Sequence, residues 1–281
     1  MRSRFWLLLL ALGPATALAW GDDCKFHADR SAGVDAKGIE KVVIRAGAGD
    51  MKVIGRTTAV RVEARGQACA AKQELLDASQ ITVRREGNVV YVETDLPQDQ
   101  TNGWSFGNND YAYIDIGIAL PANVPVEATD SSGDTVIQDL AALTIQDSSG
   151  DLEISRIAGL ADVRDSSGDL RIEEAGSVHL SDSSGDIEIE RIRDGVDIEQ
   201  DSSGDIHVAQ VGGSVRIRQD SSGGIRVEDV KGNVDVDSDS SGDIYAGKVG
   251  GNFTVSQDSS GEIDHDSVSG TVTIPENKRA D

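Results

Sequence analysis

Carboxylates at a fixed interval are the residues of this 281-residue chain that could do chemistry. The word Asp-Ser-Ser-Gly, followed by an acid or Gly, begins at Asp130, Asp147, Asp165, Asp182, Asp201, Asp220, Asp239 and Asp258, at intervals of 17 to 19 residues. Stacked in register, the first Asp of each word forms one column. A second column holds Asp134, Asp151, Asp169, Asp186, Asp205, Asp243 and Glu262, with Gly224 as a gap. Like charges roughly 5 Å apart repel, so something must offset them. Two roles fit. The carboxylates accept hydrogen bonds from corner amides and Ser hydroxyls, as Asx turns do, or they hold calcium, which takes hard oxygen ligands. Asp182, Asp186, Asp201 and Asp205 are the candidate ligands for the second role. One acidic turn per coil, and no Gly-Gly-x-Gly-x-Asp nonapeptide, favours the Asx turns and no cofactor.

No catalytic constellation is legible. His27, His179, His207 and His265 fall at different repeat positions, so neither a ligand-spaced cluster nor a Ser-His-Asp arrangement can be built from them. A carbohydrate-active β-helix needs long loops and poised carboxylates, and these coils are too uniform to supply them. An ice-binding face would be flat and Thr-rich, whereas the outward positions here are Glu, Arg, Asp and Lys.

The elements that position the columns are short strands. After the corner at Asp182, Ile187, Ile189 and Ile192 are apolar, a turn follows at Arg193-Asp194-Gly195, and Val196 and Ile198 alternate with Asp197 and Glu199. Later coils copy this: Ile206, Val208, Val211, Val215, Ile217, then Ile225, Val227, Val230, Val234, Val236. Period-two alternation between Gly-containing turns reads as strand. A coil of about 19 residues is too short for a helical hairpin and buries nothing alone, so the coils must stack. The expected fold is all-β: an elongated parallel β-solenoid of 17–19-residue coils, held by an Ile/Val column, with an N-terminal β cap. Ala175 stands where neighbouring coils have Ile or Val, and His265 does so in the terminal coil.

Before the repeats, Val42 to Ile44, Met51 to Val53 and Val60 to Val62 show strand patterning, and Gly49-Asp50-Met51 is a decayed corner. Residues 72–78 suit a short helix. Ile81–Val83 and Val89–Tyr91 flank a Gly87-Asn88 turn and read as a hairpin. Tyr113 to Leu120 is a strand ended by Pro121. A cap would hide the first edge of the solenoid; a separate β domain is the alternative. Gln98 to Asp110, polar and bearing Trp104 and Phe106, is read as an excursion whose rings fold back on the core, with a contact loop as the other reading.

The domain expectations are residues 1–19 as signal peptide, 20–129 as N-terminal β region, 130–274 as regular repeats and 275–281 as tail. A basic start, an apolar run from Phe5 to Leu12 and Ala17-Leu18-Ala19 predict export with cleavage before Trp20, and no membrane span. Cys24 and Cys69 are the only cysteines, and an even pair in an exported chain predicts one disulfide. The net charge is −23, and residues 130–281 carry 33 acids against 12 bases. Such a surface excludes nucleic acid as partner and leaves an envelope or surface protein or a glycan.

The run Ile-Asp-Ile-Gly-Ile-Ala-Leu-Pro at 114–121, Val-Pro-Val-Glu-Ala-Thr at 124–129 and the Ser-Gly-Asp-Ile units resemble the bacterial putative-adhesin family of β-strand-repeat domains, a domain of unknown function. The resemblance covers roughly residues 39–274. It implies a β-solenoid in the cell envelope and brings no catalytic residues. The functional expectation is therefore a non-enzymatic exported scaffold or adhesion module. A calcium-binding β-roll-like module and a carbohydrate-active β-helix enzyme are the alternatives.

Overall fold

The computed structural model describes residues 24–97 and 110–276; the expected signal peptide and the 98–109 part of the polar loop lie outside the described residues. The chain is a β-solenoid with two faces. In the coil after Asp182, strand Ile187–Ile192 lies on one face and Val196–Gln200 on the other. Each pairs in parallel with its equivalent one coil on: Ile187 with Ile206, Ile189 with Val208, Val196 with Val215, Ile198 with Ile217. Two long strands, Leu152–Arg164 and Leu170–Ser181, run through both faces. All 22 strands of the described residues therefore form one continuous hydrogen-bonded network.

The core lies between the faces. Ile187, Ile189, Ile192, Val196 and Ile198 are all buried, and each such side chain contributes about 1.5–3 kcal/mol by leaving water. The step from Ile189 to Ile192 is three residues, so simple alternation would turn Ile192 outward. Arg191 restores it by adopting a left-handed φ of 59°. Asp139, Arg156, Glu174, Gln210, Asp229, Lys248 and Ser267 do the same in their coils, at φ between 54° and 63°. Non-glycine residues pay roughly 1–2 kcal/mol for this region; here it bends the strand so that the next apolar side chain re-enters the core.

The other corner is built on glycine. Gly204 has φ 125°, and a Cβ on it would lie 1.9 Å from the Gly185 carbonyl oxygen. Only Gly satisfies both the backbone angle and the approach of one coil to the next. Gly49 starts the same column, since a Cβ on Gly133 would meet its carbonyl oxygen at 2.4 Å. The decayed corner at Gly49 is thus a stacked coil.

Strands β1 (Phe26–Asp35), β2 (Lys41–Arg45), β3 (Met51–Arg56) and β4 (Arg61–Ala70) precede helix α1 (Gln73–Ala78). Strands β5 (Gln80–Glu86), β6 (Val89–Asp95), β7 (Ala112–Pro121), β8 (Val126–Thr129) and β9 (Thr135–Leu140) follow. β2 and β3 pair in parallel with β8 and β9 and so continue both faces toward the N-terminus. Beyond them one face runs β3–β7–β4–β1, with β4 antiparallel to its neighbours, and the other runs β2–β6–β5, with β5 antiparallel. The antiparallel strands cap the solenoid, as expected. The helix and the β5–β6 hairpin lie where the sequence puts them. Cys24 and Cys69 form the expected disulfide, Cα–Cα 5.7 Å, tying the start of β1 to β4. Ala175 is buried opposite Ile157. His265 is exposed in the last coil, its ring 6.3 Å from that of Phe253. No helix among the described residues is long and apolar enough to cross a membrane.

Candidate functional site

The corner Asp-Ser-Ser-Gly-Asp places its two acids differently. Asp182 and Asp201 point into the solenoid, together with Asp130, Asp147, Asp165, Asp220, Asp239 and Asp258; all eight are buried. Asp186 and Asp205 lie on the surface. The two columns therefore do not converge on a shared point. Among the described residues no group of three or more His, Cys, Asp or Glu is arranged to hold a metal ion.

The outer column is a ladder between coils. Asp186 accepts a hydrogen bond from the Asp205 backbone N–H at 2.9 Å, and Asp205 accepts one from Gly224 N–H at 2.7 Å. The same bond joins Asp50 to Asp134, Asp134 to Asp151, Asp151 to Asp169, Asp169 to Asp186 and Asp243 to Glu262. Each carboxylate thus meets an N–H of the next coil instead of only its own turn. The Ser hydroxyls take another route. Ser184 Oγ donates to Ser166 O at 3.2 Å and Ser222 Oγ to Ser202 O at 3.1 Å, each crossing one coil boundary. The expected Ser-to-Asp hydroxyl bonds are replaced by these, because the second Ser faces the preceding coil's carbonyl.

The inner column is only half satisfied. Asp182 Oδ1 accepts from Ser183 N–H at 2.7 Å, Asp165 Oδ1 from Ser166 N–H at 2.7 Å and Asp147 Oδ1 from Ser148 N–H at 2.9 Å. Asp130 Oδ2 accepts from the Thr135 hydroxyl at 3.1 Å. The second oxygen of Asp130, Asp147, Asp165, Asp182 and Asp201 is buried without a hydrogen-bond partner. Burial disfavours the charged form first, and the charges of neighbouring Asp residues add to it for Asp147, Asp182 and Asp220. The carboxyls of Asp147, Asp182 and Asp220 are pushed up to about 7, and those of Asp130 and Asp201 to about 6. Near neutrality the carboxyls of Asp147, Asp182 and Asp220 are therefore only partly ionised. A formal charge of −23 counts every one of these as ionised.

Surface charges pair in place. Arg171 bridges Glu173 and Glu188, Arg191 reaches Glu173 at 2.6 Å, and Arg218 reaches Asp197 at 2.6 Å. His179 Nδ1 lies 3.1 Å from Asp162 Oδ1. Apart from Arg171–Glu173, which lies within one strand, these contacts run along the rod from coil to coil.

Sequence reasoning found both Asp columns but missed that the first is internal. No single step in the sequence marks it: Asp182 follows the inward Leu180 by two residues, and Asp201 follows the inward Ile198 by three.

A capped, two-faced parallel β-solenoid with an internal carboxyl column is the class these features define. The Toastrack DUF4097 family model matches residues 35–280, and the chain belongs to that family. Solved structures similar to it include a putative cell adhesion protein from Clostridium sporogenes ATCC 15579, 12% identical over 89% of this chain and 99% of the other, TM-score 0.30. A putative lipid binding protein from Parabacteroides distasonis ATCC 8503 is 13% identical over 88% and 97%, TM-score 0.40. A putative adhesin from Parabacteroides merdae ATCC 43184 is 11% identical over 91% and 98%, TM-score 0.34. No curated protein matches the chain significantly.

Proposed function

We propose that this chain is an exported, non-enzymatic scaffold or adhesion module of the cell envelope, presenting a repetitive acidic rod to a surface protein or glycan. The observation that carries this reading is where the repeated side chains go. The outer Asp ladder, the Ser hydroxyls and ion pairs such as Arg191–Glu173 and Arg218–Asp197 bridge one coil to the next. Repeated polar chemistry therefore serves a stiff, extended surface, and a function is argued from what that surface can do. The basic, then apolar, N-terminal segment supports export. The acidity of residues 130–281 supports partners with cationic or hydroxyl-rich surfaces.

The test has two arms. Fractionation of cells carrying a C-terminally tagged chain, with N-terminal sequencing, should find it outside the cytoplasm and beginning at Trp20. The purified chain should then bind envelope glycans or surface proteins on an array without turning over any member of a glycan panel. Cytoplasmic retention of the unprocessed chain, or turnover of a glycan, overturns the reading.

A further inference from the structure

The outer face of the capped end carries a cationic trough on an otherwise acidic molecule. It runs along β7, between β3 on one side and β4 on the other. In register, Lys52 and Arg65 flank Gly117, Ile54 and Glu63 flank Ala119, and Arg56 lies beside Pro121. The central strand thus contributes a hydrogen atom and a methyl group between two walls of long side chains. The walls are two strand spacings apart, about 10 Å, and the trough has a volume of about 560 Å³, within the range of small-ligand sites.

Its charge is opposite to that of the chain. Lys52, Arg56, Arg61 and Arg65 line it against one acid, Glu63. Glu63 is already divided between Arg65 at 3.3 Å and Arg61 at 3.6 Å. Lys52 and Arg56, on the opposite wall, have no side-chain hydrogen bond or ion pair among the described residues. Between the cations lie Ile54, Ala119 and, at the mouth, Val60, which is 71% exposed. Beyond Gly117 the groove continues toward Asp50, Asp115 and Asp134, so the net positive charge lies toward the Arg56–Arg61 end.

Gly117 is not imposed by the backbone. A Cβ there would meet only the Arg65 carbonyl oxygen, at 3.7 Å, and its φ is not in the left-handed region. This is unlike the corner glycines, and its smallness serves to leave the trough open.

We propose that this trough binds a single anionic amphiphile, with a phosphate or carboxylate head on Arg56 and Arg61 and a hydrocarbon segment along Ile54, Ala119 and Gly117. Arg56 and Arg61 suit the head by charge complementarity, and their guanidinium groups suit phosphate by geometry. The apolar strip between them suits a chain. An acidic polymer would need a cationic track continuing along the rod, and the rod is acidic. An anionic bilayer would face the repulsion of the whole chain.

The test is isothermal titration of the full chain with dodecyl phosphate below its micelle concentration, with inorganic phosphate and dodecyl maltoside as head-only and tail-only probes. Dodecyl phosphate should bind at least tenfold more tightly than either. Arg56→Ser should weaken it at least tenfold. Gly117→Leu should do the same while leaving the melting temperature and far-ultraviolet spectrum unchanged, since the site accepts a side chain. Equal binding of phosphate and dodecyl phosphate, retained affinity in Gly117→Leu, or binding to phosphatidylglycerol vesicles without binding of the monomeric probe would each overturn the proposal.

Discussion

Replacing Asp182 by Asn should make the protein more stable at pH 8 and change it little at pH 4.5. In the folded chain the Asp182 carboxyl is pushed from 3.8 to about 7, first by burial and then, against the Ser183 N–H, by the charges of Asp165 and Asp201. An unfolded chain releases this proton near pH 3.8, so between there and about 7 the folded state binds more protons. Stability is therefore full below the unfolded value and is lost as pH rises to the folded one. Three pH units at about 1.4 kcal/mol each give about 4 kcal/mol for this one group. Neighbouring Asp residues share the effect, so Asp182→Asn should recover about 2–4 kcal/mol of it at pH 8. The Asn side-chain oxygen keeps the Ser183 N–H bond, and its amide adds no charge to the core. The assay is equilibrium urea unfolding at pH 4.5, 6 and 8, in 0.1 and 0.5 M NaCl. Surface repulsion is screened by the salt, whereas the buried column is not, so the slope should survive. A wild-type chain as stable at pH 8 as at pH 4.5 in high salt, or a variant equally destabilised at both, would refute the reasoning.

Gly204→Ala should cost roughly 3–5 kcal/mol in thermal or urea unfolding, since its Cβ would meet Gly185 O at 1.9 Å with φ at 125°; Gly117→Ala, with a nearest contact at 3.7 Å, is the silent control. Gly224→Asp should raise stability by about 0.5–1 kcal/mol. It restores the missing rung above the Asp243 N–H at a position where a Cβ meets nothing closer than 3.5 Å, and a lowered urea midpoint would argue against the ladder. Millimolar calcium and magnesium should raise the melting temperature slightly and equally relative to chelator, by screening alone; a rise of many degrees with calcium only would show ligation linked to folding.

The sequence by itself determined the stack. Recurrence of Asp-Ser-Ser-Gly with β-branched alternation leaves the coils no way to bury Ile187, Ile189 and Ile198 except against their copies. Two cysteines in an exported-looking chain were enough to pair Cys24 with Cys69. These features are legible because they are local or periodic. Which way Asp182 points was not, because an acid beside Ser and Gly reads as a solvated turn until the corner's path is known. That path depends on the close approach of Gly185 to Gly168, which the neighbouring coil sets. The cationic trough was hidden for a different reason. Lys52 and Arg65 come from consecutive strands and Gly117 from one much later in the chain, with no shared pattern, and only the placing of β7 between β3 and β4 brings them together.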